Sequence, residues 1–114
     1  MMKYKVVLVP FPFDDLSSSK VRPAICLTEA IGQYRHIILA FITSKVPGYL
    51  LDTDMLIAQN DDDFATSGLR VSSVLRLHKM MTAKSNFIRR ELGQLSHEQQ
   101  VIIEKKLKAL FSLT

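Results

Sequence analysis

No apolar stretch of this chain is long, and almost every one is ended by residues that favour turns. Val6-Val7-Leu8-Val9 is a β-branched run, stopped by Pro10-Phe11-Pro12-Phe13. β-branched side chains suit a pleated surface, and Pro removes a ladder donor. A second strand is predicted from Val21 to about Thr28, with Pro23 at an edge or a strand start. Gly32 marks a turn, and His36–Thr43 reads as a third strand with Ile37, Ile38, Leu39, Phe41 and Ile42 buried on one or both faces. Ser44–Leu51, containing Pro47-Gly48, is a loop, and Thr53–Ala58 a short strand.

Gln59–Gly68 is polar and acidic, hence a loop. Leu69–Leu77 is β-prone with imperfect alternation, Met80-Met81-Thr82-Ala83 predicts another short strand, and Phe87–Leu92 fits strand or helix but reads as a strand because Gly93 and a helix start follow it. Only the end of the chain has helical periodicity. Ser96 suits an N-cap with Gln99 as its capping-box partner, and Ile103, Leu107, Leu110 and Phe111 recur on one stripe. Lys105, Lys106 and Lys108 lie in the later half, where cations suit the helix dipole. The expectation is roughly five to seven strands followed by one helix. That is a mainly β fold, a small bent antiparallel sheet or barrel with the helix packed on it.

Composition narrows the function. The 114 residues fit a single domain spanning 1–114, and 47% apolar with 23% charged residues is an ordinary globular balance. No apolar run approaches the length that spans a bilayer, and the N-terminal run is too short for a secretory signal, so a cytoplasmic protein is expected. Cys26 is the only cysteine, which excludes an intrachain disulfide and a Cys-rich zinc site. Its neighbours Ala24-Ile25 and Leu27 predict a buried small hydrophobe. The net charge of +4 is uneven: eight acids against six bases up to Phe64, then nine bases against three acids. A basic half favours a polyanion, though most basic surfaces are simply solvated.

His36, His78 and His97 make no H-x-x-x-H pair, and Asp61-Asp62-Asp63 lacks the Gly and Glu of a calcium loop, so it reads as a solvated acidic turn and no metal or cofactor is expected. Walker A, GxGxxG and GxSxG motifs are absent. Two segments remain. Arg22 opens the apolar strand Val21-Arg22-Pro23-Ala24, either as a surface side chain or as a guanidinium aimed at an oxyanion. Thr43-Ser44-Lys45 ends the most apolar strand, where the hydroxyls either close it through local backbone hydrogen bonds or bind phosphate oxygens with the ammonium.

The block Val7-Leu8-Val9-Pro10-Phe11-Pro12-Phe13-Asp14-Asp15-Leu16, followed by Ser19-Lys20-Val21-Arg22-Pro23-Ala24, resembles the opening of MazF/PemK-type toxins. Phe41-Ile42-Thr43-Ser44-Lys45, Ser67-Gly68-Leu69 and Ser73-Val74-Leu75-Arg76-Leu77 resemble the family's later segments in the correct order, from about Lys3 through the terminal helix. The resemblance implies an SH3-like small β-barrel with a terminal helix, a homodimer, and the toxin of a type II toxin–antitoxin system. It implies a metal-independent endoribonuclease cutting single-stranded RNA, often mRNA. A cognate antitoxin inhibits such a toxin along the dimer groove, and operator DNA is met only by the toxin–antitoxin complex.

The family's functional Arg falls on Arg22 and its functional Thr on Thr43, the two candidate catalytic residues. Ser19, Lys20, Ser44, Lys45 and Arg76 are candidates for RNA contact, and Asp14 and Asp15 weaker candidates for a base. RNA carries its own nucleophile, the 2′-OH. A guanidinium suits the phosphoryl charge that develops, and a hydroxyl can donate to the phosphate or orient the 2′-OH. Three family features differ. Tyr4-Lys5 stands where Gly-Asp is common, Ser73 where some members carry an acid, and the loop before Arg22 is shorter than in some members. A non-catalytic RNA- or antitoxin-binding module on the same barrel is the alternative.

Overall fold

The computed structural model describes residues 1–10 and 20–114. Six strands and one helix follow in chain order: β1 Lys5–Pro10, β2 Val21–Cys26, β3 His36–Thr43, β4 Asp54–Ile57, β5 Ser73–Lys84, β6 Arg90–Gln94 and α1 His97–Leu110. Short 3-10 turns occupy Ala65–Ser67 and Ser85–Phe87. The strands form one antiparallel sheet in the order β4-β5-β3-β2-β1-β6.

Period-two alternation sorts the apolar residues of this sheet to two faces. Val6, Ile25, Ala40, Ile42, Leu75 and Leu77 lie on one, packed with Met55, Ile57, Leu95 and Ile103 of α1. Val7, Val9, Ala24, Cys26, Ile37, Leu39 and Phe41 lie on the other, with Met81, Ala83 and Ile88 against them. The third strand is therefore buried on both faces, which is why its sequence is a nearly continuous apolar run. Cys26 is fully buried, and burial foremost, with Glu91 second, pushes its thiol up to about 12. It behaves as the small hydrophobe that its neighbours predict.

Pro23 sits inside a strand with neighbours on both sides, yet it opposes no strand donor toward β3. The β2–β3 ladder starts only at Ala24↔Phe41. Pro23 thus occupies a local edge, as a residue lacking N–H must.

Two expectations need correction. The predicted strands at Leu69–Leu77 and Met80–Ala83 are one twelve-residue strand, β5, beginning at Ser73. Its pairing with β3 jumps from Phe41↔Arg76 to Ala40↔Met80, leaving Leu77, His78 and Lys79 as an insertion. An odd insertion exchanges the two faces: Leu75 and Leu77 face the helix side, but Met81 and Ala83 face the other. That exchange is what breaks the alternation in the sequence.

The second correction is Gly93, which lies inside β6 rather than ending a strand at Leu92; Ser85–Phe87 forms a turn ahead of it. A Cβ on Gly93 would lie 2.2 Å from the Thr66 carbonyl oxygen, and one on Gly68 would lie 2.0 Å from the Leu92 oxygen. Gly68 also has a left-handed backbone, φ 74°. The chain leaving β4 therefore presses its backbone directly on β6, so that the two edges of the sheet are bridged and the sheet curls.

The helix begins as predicted, with both hydrogen bonds of the Ser96/Gln99 capping box present. Of its apolar stripe, Ile103 is fully buried and Leu107 packs on the core, but Phe111 is exposed at the C-cap. Among the described residues no helix is long and apolar enough to cross a membrane.

Gly93→Ala should lower stability by about 1–3 kcal/mol, because the added methyl has no space. A thermal melt should then fall by roughly 5–15 °C. Gly48→Ala, with nothing within 4 Å of the new Cβ, should leave the melt unchanged.

Candidate functional site

Alternation and register bring Arg22 and Thr43 together. Arg22 shares a face of β2 with Ala24 and Cys26, and Thr43 shares a face of β3 with Leu39 and Phe41. Ala24↔Phe41 is the end pair of the β2–β3 ladder, so Arg22 and Thr43 lie just beyond that end on the same face. Both line an open hollow of about 390 Å³, together with Pro23, Phe41, Ile42, Ser44, Lys45, Arg76 and Lys79. The face is the one turned away from α1.

The Thr43 hydroxyl accepts from the Lys45 backbone N–H at 3.1 Å. This is the local bond expected of a hydroxyl at a strand end. It occupies an oxygen lone pair and leaves the O–H able to donate into the hollow.

Arg76 enters from β5, opposite Phe41 on one side and Asp54 on the other. Its Nε donates to Asp54 Oδ1 at 3.0 Å and its Nη2 to Asp54 Oδ2 at 3.3 Å. The Leu51 backbone N–H donates to Asp54 Oδ2 at 2.9 Å. Burial alone would raise the Asp54 pKa, but the Leu51 N–H and then the Arg76 guanidinium outweigh it and hold the carboxyl below its usual range.

The predicted residues divide. Arg22, Thr43, Ser44, Lys45 and Arg76 share the hollow. Lys20 is exposed ahead of β2 and is not part of its lining. Ser19, Asp14 and Asp15 lie outside the described residues. Sequence reasoning missed Asp54 and Lys79. A carboxylate opening the apolar run Met55-Leu56-Ile57 was a signal, since Asp is depleted in strands. Lys79 lies in the insertion, where no periodicity could place it.

Two of the divergent family positions have structural explanations. Tyr4 has φ 71°, a left-handed conformation that glycine adopts without cost. Its N–H donates to Cys26 O and its carbonyl accepts from the Leu95 N–H, while its hydroxyl donates to Glu104 of α1 at 3.0 Å. Burial first, then Glu104, pushes its pKa up to about 12. Lys5 pairs with Glu91 of β6 at 3.1 Å. Ser73 is buried and donates to the Val71 carbonyl, so it supplies no base.

The lining residues carry four cations and two hydroxyls, and among the described residues no carboxylate or imidazole joins them. Such a set suits an extended anion rather than a metal ion.

Over residues 2–111 the chain matches the family described as PemK-like, MazF-like toxin of type II toxin-antitoxin system. The chain belongs to this family. A search of curated proteins finds no match. Solved structures of MazF toxins share the fold. The Mycobacterium tuberculosis toxin MazF-mt6 has TM-score 0.72 at 21% identity, covering 96% of this chain and 98% of that one. An endoribonuclease solved in complex with its cognate antitoxin, from a mycobacterial species, has TM-score 0.72 at 11% identity, covering 100% and 97%. MazE-MazF from Deinococcus radiodurans has TM-score 0.69 at 16% identity, covering 100% and 97%. The MazF-type sheet with one C-terminal helix expected from the sequence is therefore the fold observed.

Asp54 has a lowered pKa in the folded chain, so its contribution to stability is present above the unfolded value of about 3.9 and is lost as pH falls through the folded pKa. Denaturant titrations between roughly pH 2 and 6 should show Asp54→Asn with a shallower acid-side loss of stability than the parent chain.

Proposed function

We propose that this toxin is a metal-independent endoribonuclease that cuts single-stranded RNA by attack of the 2′-OH, with Arg22 and Thr43 as its catalytic residues. The observation that carries the reading is the shared hollow, which a guanidinium and a hydroxyl line together with further cations. The reaction needs no nucleophile from the protein. The 2′-OH gives up its proton to water and its oxygen bonds to phosphorus, while the bond to the 5′-oxygen breaks and that oxygen takes a proton from water, leaving a 2′,3′-cyclic phosphate and a 5′-OH. Negative charge grows on the phosphoryl oxygens as this happens. A guanidinium meets it with parallel N–H donors and stays protonated throughout. Thr43 donates a neutral hydrogen bond to the phosphate or holds the 2′-OH. Ser44, Lys45, Arg76 and Lys79 bind flanking phosphates.

The protein acts in the cytoplasm as a homodimer, and a cognate antitoxin blocks the hollow through an acidic segment that folds on binding. Two solved structures of the same fold are an endoribonuclease with its cognate antitoxin and a MazE-MazF pair, which supports this partner. Operator DNA is bound by the toxin–antitoxin complex alone. The second reading, a module that binds RNA or antitoxin without cutting, is favoured by the lack of a carboxylate or imidazole in the described lining.

Incubation of the purified protein with a long single-stranded RNA in EDTA separates the two readings. Discrete fragments ending in cyclic phosphate are expected; a mobility shift without fragments would favour the binding module. Arg22→Ala should cost about 10²–10³ in rate with the fold intact. Arg22→Lys should not restore it, because an ammonium lacks the fork. Thr43→Val should cost roughly ten-fold or less, as befits one neutral hydrogen bond. A 2′-deoxy sugar at the scissile position should block cleavage. Cutting of that substrate, or activity that requires magnesium, would overturn the mechanism. Full activity of a folded Arg22→Ala chain would overturn the assignment of Arg22.

A further inference from the structure

Among the described residues Asp54 is the only buried charged side chain. An ion withdrawn from water is retained only where its lone pairs are met by well-placed donors. Here three donors meet two oxygens: Nε and Nη2 of Arg76, and the Leu51 N–H. The Asp54 side chain is fully shielded from solvent, whereas that of Arg76 is about one-fifth exposed. The pair is therefore lopsided, its anion sealed beneath the sheet surface and its cation turned toward the hollow that it lines.

A guanidinium has five N–H donors in a rigid plane. Asp54 takes two of them along one edge, which fixes both the position and the tilt of that plane. The donors on the remaining edges point away from the carboxylate. The Leu51 N–H ties the same carboxylate to the end of the loop that begins at Ser44-Lys45, another part of the lining.

We propose that Asp54 is a positioning residue for RNA binding, holding the Arg76 guanidinium so that its outward edge meets a phosphate of the bound strand. This rests on the reading of the hollow as an RNA site. Arg76 is ordered before RNA arrives, so binding does not have to immobilise a long side chain. The ion pair looks like an electrostatic liability, since it places a negative charge beneath a site for a polyanion. Orientation of the fork is what offsets that.

The two effects predict opposite outcomes for Asp54→Asn. Removing an anion near the site tightens RNA binding if charge alone counts. Loss of the fixed fork weakens it. We expect KM for a single-stranded RNA to rise roughly ten-fold with kcat within about two-fold, the pattern of lost ground-state binding. Partial unfolding would instead lower apparent kcat and leave KM alone. Arg76→Lys keeps the charge and the ion pair but not the fork, and should raise KM similarly. Combining the two substitutions should add little, because both remove one device. If Asp54→Asn does not fold, Arg76→Lys carries the test by itself. A KM that is unchanged or lowered in either folded variant overturns the proposal while ribonuclease activity of the parent chain stands. If the parent chain binds RNA without cutting it, Kd replaces KM and the expected rise is the same. A parent chain that neither cuts nor binds RNA overturns both readings.

Discussion

The ladder between β3 and β5 is the constraint on which the rest of the molecule depends. All eight residues of β3 find partners along β5, and β4 is attached to the sheet only through β5. The three-residue insertion at Leu77–Lys79 divides that ladder into two straight runs. On one side β5 gives Leu75 and Leu77 to the helix-side core; on the other it gives Met81 and Ala83 to the opposite core. A continuous register would have turned one set of apolar side chains to the wrong face. The same irregularity sets Lys79 at the rim of the hollow and leaves Arg76 level with Phe41.

The hollow inherits its arrangement from these pairings. Arg22, Thr43 and Arg76 come from three neighbouring strands, on the face that α1 does not cover. They are carried by strands of one sheet rather than by loops, which favours a fixed arrangement. At Gly68 and Gly93 the turn that follows β4 in the chain lies in close backbone contact with the opposite edge strand, β6.

Much of this was legible in the chain itself. Short apolar runs punctuated by Pro and Gly gave the strands, and Ser96 with Gln99 gave the start of the helix to the residue. What misled was local: an odd insertion reads as a strand break, because periodicity carries no record of which residues are skipped. Gly93 reads as a terminator because nothing in a single sequence says that another backbone presses on it. Arg22 and Thr43 were unremarkable by chemistry alone, and the family resemblance singled them out. Asp54 escaped notice because its partner is 22 residues away and reached only through strand pairing.

The contact between Tyr4 and Glu104 spans 100 residues. Together with Leu95 on the Tyr4 carbonyl, it fastens the first strand to the last strand and the helix. The lining residues of the hollow all precede β6 and α1 in the chain, so they are synthesised first. The helix-side core still lacks Leu95 and Ile103 at that stage, so the curled sheet has no lid on its apolar interior. Until β6 and α1 are made, the chain carries the lining groups of the hollow without the elements that close the core beneath them.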